Sequence, residues 1–371
     1  MRRHAVPVGF LVREAKGNLT PEILGEWIAG EIGPALVAEA ISDELRPADT
    51  PAPACSLTVA ICTRHRADSL ARCLESLRAC RGPFAILVVD NAPPDDSTAT
   101  LIRQWPEIRY VREPRAGLDF ARNRAWQEAK GDWIAYLDDD VVVDAGWHQG
   151  LREALAENPD ASAVTGLVLP LELATSAQIL FTKRGGFRRG FTRQRYRDTL
   201  PGNALHPAGA GIFGTGANMA FRRDILQQLG GFDEALDTGR PLPGGGDLDI
   251  FFRIIKGGFL LAYEPRFLVF HEDRKDLPAL RQQYYTWGLG LMAYAGKHLR
   301  PESLQRDLFL KLVRWWFRHQ LHQLKECLRG RHPLPADMLL AELWGGVVGL
   351  CGEYGRSQRR IARIKRALPD P

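Results

Sequence analysis

Four short apolar runs alternate with helix-patterned segments between residues 57 and 140, and no feature of the chain limits its fold more. The runs are 57–62, 84–89, 108–111 and 133–137. Between them, 68–79 carries Leu70, Leu74 and Leu77 at helical spacing, 97–104 suits a helix, and 116–130 turns Phe120, Ala121, Ala125 and Ala129 inward. Strands that are apolar throughout, rather than alternating, belong to a sheet covered on both faces. Their alternation with helices predicts an α/β architecture with a mostly parallel sheet. In such sheets ligands bind beyond the carboxyl ends of the strands. The second run ends at Asp90-Asn91 and the fourth runs straight into Asp138-Asp139-Asp140, so the acids gather at that edge.

The remainder frames this unit. Residues 1–54 form a preamble in which Thr20-Pro21-Glu22 starts a helix continued by Ile23, Trp27, Ile28 and Glu31. Three prolines in 46–53 read as a linker. After residue 144 come a helix at 147–157, a strand at 163–169, a basic stretch, and a Gly-rich turn at 209–216 leading into Ala217-Asn218-Met219-Ala220-Phe221 and then a helix at 223–229. Gly244-Gly245-Gly246-Asp247-Leu248-Asp249 opens a helix reaching about 256, and strands at 259–263 and 267–270 bring His271 to a strand end. From 278 the pattern is helical. The expected division is 1–54, 55–295 and a helical tail at 296–371.

Composition excludes several classes. With 45% hydrophobic and 25% charged residues the chain is globular rather than disordered. The net charge of +5 does not mark a nucleic-acid binder, and none is expected as a partner. The charge is uneven, however: residues 297–371 hold 15 Lys/Arg against 7 Asp/Glu. Six cysteines without a C-x-x-C pair suit a reducing compartment, the apolar start is too interrupted for a signal peptide, and no run is long enough to span a membrane. A cytoplasmic protein is expected.

Three adjacent carboxylates repel one another unless a cation sits among them. Hard oxygen donors suit Mg²⁺ or Mn²⁺, and Mg²⁺ commonly shares such carboxylates with substrate phosphates. A solvated acidic turn is the other reading. Asp247 has two readings as well: a general base, or a helix cap of the type Asp favours.

Taken in order, the motifs resemble those of family 2 glycosyltransferases with the GT-A fold, a Rossmann-like nucleotide-diphospho-sugar transferase architecture. The triplet resembles the Asp-x-Asp motif. Residues 58–64 resemble the opening strand and nucleotide loop, Leu87-Val88-Val89-Asp90-Asn91 the second strand, and Arg115-Ala116-Gly117-Leu118-Asp119-Phe120-Ala121-Arg122-Asn123 the Gly…Ala-Arg-Asn helix start. Residues 214–223 resemble the acceptor-side segment and Gly245-Gly246-Asp247-Leu248-Asp249 the Glu-Asp motif, over 55–295 in all.

The resemblance implies roles. Thr63, Arg64, Asp90 and Asn91 would line the nucleoside pocket, with Arg122, Asp138 and Asp139 also on the nucleotide sugar. Asp140 would ligate the divalent cation, with His271 as second ligand, unless His271 is a plain strand-end histidine. Asp247 would be the catalytic base, Asp249 its support, and Gly216 and Asn218 would face the acceptor. One departure stands out: Gly246 occupies the position where the family commonly has Glu.

Residues 183–197 hold seven Lys/Arg interleaved with Phe187, Phe191 and Tyr196, and read as an acceptor-side loop. In the tail, Phe309, Val313, Phe317, Leu321, Leu324 and Leu328 share a helical face, with Arg314, Arg318 and Lys325 on others. Such a basic amphipathic helix suits peripheral contact with the inner face of the cell membrane, or packing on the body. The expected function is metal-dependent, inverting transfer from a nucleoside-diphosphate sugar to a glycan or lipid-linked hydroxyl acceptor in polysaccharide or glycolipid synthesis. The alternatives are a sugar-phosphate nucleotidyltransferase, which would want a Gly-rich loop with Lys where this chain has Thr63-Arg64-His65-Arg66, and a non-catalytic carbohydrate-binding or scaffold relative, suggested by Gly246.

Overall fold

The computed structural model describes residues 1–4, 6–13, 17–45, 55–80, 82–239 and 241–368. The proline-rich linker expected at 46–53 lies outside the described residues. The preamble contains a two-residue-strand hairpin, β1 (Arg2–Arg3) and β2 (Val6–Pro7), and two helices, α1 (Pro21–Glu31) and α2 (Gly33–Glu44). Thr20 caps α1 as its sequence suggested, its side chain accepting from the Ile23 amide at 3.4 Å with Pro21 beginning the helix.

The body follows the expected alternation: β3 (Leu57–Thr63), α3 (Ala67–Ala79), β4 (Phe84–Asn91), α4 (Ser97–Ile102), β5 (Arg109–Glu113), α5 (Leu118–Glu128) and β6 (Trp133–Asp138). Then come β7 (Val141–Val143), α6 (Trp147–Glu157), β8 (Ala161–Pro170), α7 (Ser176–Lys183), β9 (Gln194–Tyr196), β10 (Asn218–Arg222), α8 (Arg223–Gln228), α9 (Gly246–Lys256) and β11 (Leu260–His271). Four helices finish the chain: α10 (Leu277–His298), α11 (Arg306–Leu328), α12 (Ala336–Val348) and α13 (Tyr354–Ala367).

One sheet runs β5-β4-β3-β6-β10-β8-β11-β7, with β9 on the N-terminal half of β11. The first four strands are parallel; β10 lies antiparallel between β6 and β8. The two runs read as separate strands at 259–263 and 267–270 are one strand, β11, with a register shift between Glu264 and Leu268.

Both faces of the sheet are covered, which is why β3 shows no alternation. Val59 and Ile61 pack with Leu70, Leu74, Trp147 and Leu151 from α3 and α6. Ala60 faces the opposite core, with Ala121, Phe251 and Met292 from α5, α9 and α10. The tail continues this second core: Phe309 and Trp316 of α11 join it, and α12 lies against α10 at near-backbone distance. Small residues make that approach feasible, since a Cβ on Gly345 would stand 2.0 Å from the Tyr285 carbonyl and one on Gly288 2.0 Å from the Glu342 carbonyl. Helix α10 runs uninterrupted across the division expected at residue 295.

Candidate active site

Parallel strands deliver the acids to one edge. Register sets Asp138 beside Cys62 of β3, and His271 beside Val141 just past the triplet. Donor atoms of Asp138, Asp140 and His271 all lie within 4.8 Å of one another. Asp140 Oδ1 is buried, has no hydrogen-bond partner, and stands 3.4 Å from His271 Nε2. The Nδ1 side of the ring is held by Asp273 at 3.0 Å, which orients the imidazole in the manner of a carboxylate-backed metal ligand. A buried orphan oxygen beside an oriented imidazole and a second carboxylate is a donor set that Mn²⁺ or Mg²⁺ fits.

Asp139 points elsewhere. Its Oδ2 accepts from the Thr63 hydroxyl at 2.7 Å and its Oδ1 from Arg66 Nη1 at 2.7 Å, while Arg66 Nη2 donates to Asp140 Oδ2 at 2.8 Å. Burial, only partly offset by Arg66, pushes the Asp139 carboxyl up to about 7. Burial and Asp140 raise Asp138. Burial works against ionisation of Asp140 too, but His271 and Arg66 outweigh it and hold that carboxyl below its usual range. Arg66 was missed in the sequence; Arg64, the residue singled out, is exposed at the mouth of a neighbouring cavity.

The residues expected on the nucleoside side differ in how far their polar atoms are satisfied within the protein. Asp90 is fully buried; Tyr110 donates to its Oδ2 at 2.7 Å, Oδ1 has no hydrogen-bond partner, and burial raises its pKa. Asn91 serves the backbone: it donates to the Arg115 carbonyl at 2.7 Å and accepts from the Gly117 amide at 2.9 Å. That bond pins the turn into α5, where Gly117 has φ +147° and its Cβ space abuts Phe120.

Arg122 is the hub of the second acid group. It donates to Asp119 at 2.9 Å and Asp237 at 3.2 Å, and its charge also acts on Asp138 and Asp247. Asp247 Oδ2 accepts from the Gly216 amide at 3.0 Å and Oδ1 from the Leu248 amide at 2.9 Å. A Cβ on Gly216 would come within 2.6 Å of Arg122 Nη2, so this glycine lets the backbone sit between the guanidinium and Asp247. Burial and Asp247 push Asp237 up to about 6; burial and Asp237 raise Asp119 well above the ordinary carboxylate range.

The departure at Gly246 has a structural counterpart. Its amide donates to Asp237 Oδ2 at 3.0 Å, and a Cβ there would be 2.1 Å from Asp119 Oδ2 and 2.7 Å from Asp237 Oδ2. Two buried carboxylates thus fill the space that a side chain at 246 would enter.

Two expected site residues lie elsewhere. Asp249 is fully buried, pairs with Arg253 at 2.7 Å and with Lys297 of α10 at 2.6 Å, and ties α9 to the tail. Asn218 is fully buried between layers, accepting from Trp147 Nε1 at 3.0 Å and donating to the Phe267 carbonyl at 2.7 Å. Both are polar groups satisfied inside the body, which periodicity alone cannot separate from ligand-facing ones. The basic stretch is also folded down: Arg184 pairs with Glu342 at 2.7 Å, Arg195 with Asp160 at 3.3 Å, and Phe187 packs edge-on against the His271 ring at 4.8 Å.

The model of Glycosyl transferase family 2 matches residues 58–230, the segment that carries β3, β4, the triplet and Arg122. Residues 58–230, a little under half of the chain, are thus similar to a family 2 glycosyltransferase domain. Over 224 residues, 60% of this chain, the protein is 28% identical to the pre-mycofactocin glycosyltransferase of Mycobacterium tuberculosis, of which 43% is covered. It is 29% identical over 243 residues to the succinoglycan biosynthesis protein ExoM of Rhizobium meliloti, covering 62% of this chain and 72% of that protein. The chain therefore spans less than half the length of the first of these relatives. The mannosyltransferase PcManGT of Pyrobaculum calidifontis, solved with GDP-Man and Mn²⁺, superposes with a TM-score of 0.51 at 18% identity over 91% of this chain and 97% of that one. The fold is GT-A, a mixed sheet under helices with a helical C-terminal region.

Proposed function

We propose that this glycosyltransferase moves a sugar from a nucleoside-diphosphate donor to a hydroxyl acceptor by a metal-dependent, inverting displacement. The observation that carries the reading is the cluster of Asp138, Asp140 and His271, whose donor atoms lie within 4.8 Å of one another around a buried Asp140 oxygen that has no hydrogen-bond partner. Asp138, Asp140 and His271 would hold the divalent cation. When bound, that cation supplies positive charge to the departing diphosphate. Asp247 takes the proton of the attacking hydroxyl. Its two oxygens each accept one backbone amide, which fixes the carboxylate and leaves a lone pair on each for the substrate. Gly216, which holds Asp247, is the acceptor-side contact. Arg122, held by Asp119 and Asp237, adds fixed positive charge between Asp138 and Asp247 on the donor side.

The acceptor class we propose is a glycan or lipid-linked sugar, by analogy with the succinoglycan relative. Among the described residues no helix is long and apolar enough to cross a membrane. Helix α11 nonetheless exposes Trp315 (47%), Leu321 (57%) and Leu328 (77%) beside Lys311, Arg314, Arg318 and Lys325. That face suits peripheral contact with anionic lipid on the cytoplasmic side.

Asp140→Asn is expected to abolish Mn²⁺-dependent binding of the donor. Asp247→Asn is expected to leave donor binding intact and lower kcat by about a thousandfold, within the range of acid–base contributions. Donor binding that survives the first change, or turnover that survives the second, overturns these roles.

A further inference from the structure

Beyond the segment that carries the family motifs, we propose that the C-terminal helix α13 forms one wall of the donor pocket and that Arg360 contacts the nucleotide. This rests on the donor reading above. A cavity of about 630 Å³ opens at the carboxyl edge of the sheet, within the size range of small-molecule sites. On the body side it is lined by Arg64 after β3, Ala116 before α5, and Thr238, which follows the Arg122 partner Asp237. The opposite side is Arg360, Ile361 and Ile364 of α13.

The placement of α13 is built in. Between α12 and α13 the chain breaks helical geometry at Cys351 and Gly352, whose φ of +81° suits glycine and turns the chain back toward the sheet edge. Tyr354 then donates to Asp233 at 2.7 Å, Ile361 is buried with Phe120, Ala235 and Leu236, and Lys365 pairs with Glu234. All these anchors lie on α5 or on the segment leading to Asp237. Arg360 shares the Glu353 carboxylate with Arg356, at 2.6 and 2.7 Å. One carboxylate against two guanidiniums leaves net positive charge, and Arg360 Nε is without a hydrogen-bond partner. A pocket with arginines on two sides and an isoleucine wall has the chemistry of an anionic ligand bearing a flat apolar ring, which a nucleoside diphosphate is. Arg360 would meet its polar or anionic oxygens, and Ile364 the ring.

The test is calorimetric binding of GDP, and of UDP in parallel, each with Mn²⁺, to the full chain. Arg360→Ala is expected to raise Kd about tenfold with the melting temperature unchanged, as for a lost charge-assisted hydrogen bond. Arg360→Lys should restore part of the loss, which a purely structural role would not require. Ile364→Asp should weaken binding as well; where that variant fails to fold, hydrogen exchange of wild type replaces it, with slowing at 360–364 expected on adding nucleotide and Mn²⁺. Asp138→Asn is the control for the donor reading itself. If Arg360→Ala binds within twofold of wild type and Asp138→Asn does not bind, α13 has no part in the site while the donor reading stands. If both bind within twofold of wild type, or wild type binds neither nucleotide, the donor reading falls and this proposal with it.

Discussion

Gly246→Ala is the sharpest test of how the two acid groups are packed. Alanine normally stabilises a helical position relative to glycine by about 0.5–1 kcal/mol, because it narrows the unfolded ensemble. Gly246 opens α9 without a left-handed φ, so propensity alone predicts a gain. The added Cβ, however, would lie 2.1 Å from Asp119 Oδ2 and 2.7 Å from Asp237 Oδ2. Reaching ordinary contact requires Asp119 to retreat by more than about 1 Å, judged against a normal carbon contact. Asp119 is fully buried and its other oxygen holds Arg122, so the retreat breaks that pair. Overpacking costs about 1–3 kcal/mol and a broken buried ion pair about 3–5 kcal/mol. Partial relaxation leaves an expected net loss of about 2–4 kcal/mol, opposite in sign to the propensity term. Urea unfolding of both proteins measures it, with kcat recorded alongside. Gly246→Glu, which restores the family's commoner residue, should be less stable still and no more active. A Gly246→Ala protein as stable as wild type would refute the packing described for Asp119, Asp237 and Arg122.

Other consequences are as direct. Asp249→Asn should cost about 2–4 kcal/mol and leave donor affinity unchanged, because Arg253 loses its carboxylate and keeps only the Leu229 and Gly231 carbonyls, while Lys297 keeps only Asp233. Arg253 and Lys297 outweigh burial and depress the folded-state pKa of Asp249, so its contribution is complete above the unfolded carboxylate value near about 4 and is lost as pH falls below it. The stability gap between wild type and Asp249→Asn should therefore narrow between about pH 4 and pH 2; a gap that stays constant contradicts the pairing. Asn218→Ala should lower stability by about 2 kcal/mol, leaving Trp147 Nε1 and the Phe267 carbonyl unpaired, with KM for the acceptor unchanged in steady-state assays.

The alternation of the first four strands with helices, the covered sheet, the clustering of Asp90 and the triplet at one edge, and the helix start at Asp247 were legible in the chain itself. Each depends on short-range pattern: runs of apolar residues set strand and face, and polarity changes abruptly where a strand leaves the core. Which carboxylate faces a ligand and which is tied down inside was not legible. Asp247 and Asp249 sit two residues apart on one helix, yet one meets Gly216 and the other Lys297. Arg66 spanning Asp139 and Asp140, Asp119 and Asp237 filling the space at Gly246, and α13 closing a cavity whose far wall is Arg64 all join residues distant in sequence. Pattern within a segment reports burial, because burial repeats with the period of the backbone. Partnership between segments has no such period: it is decided only when the sheet and its covering helices bring particular atoms within bonding distance.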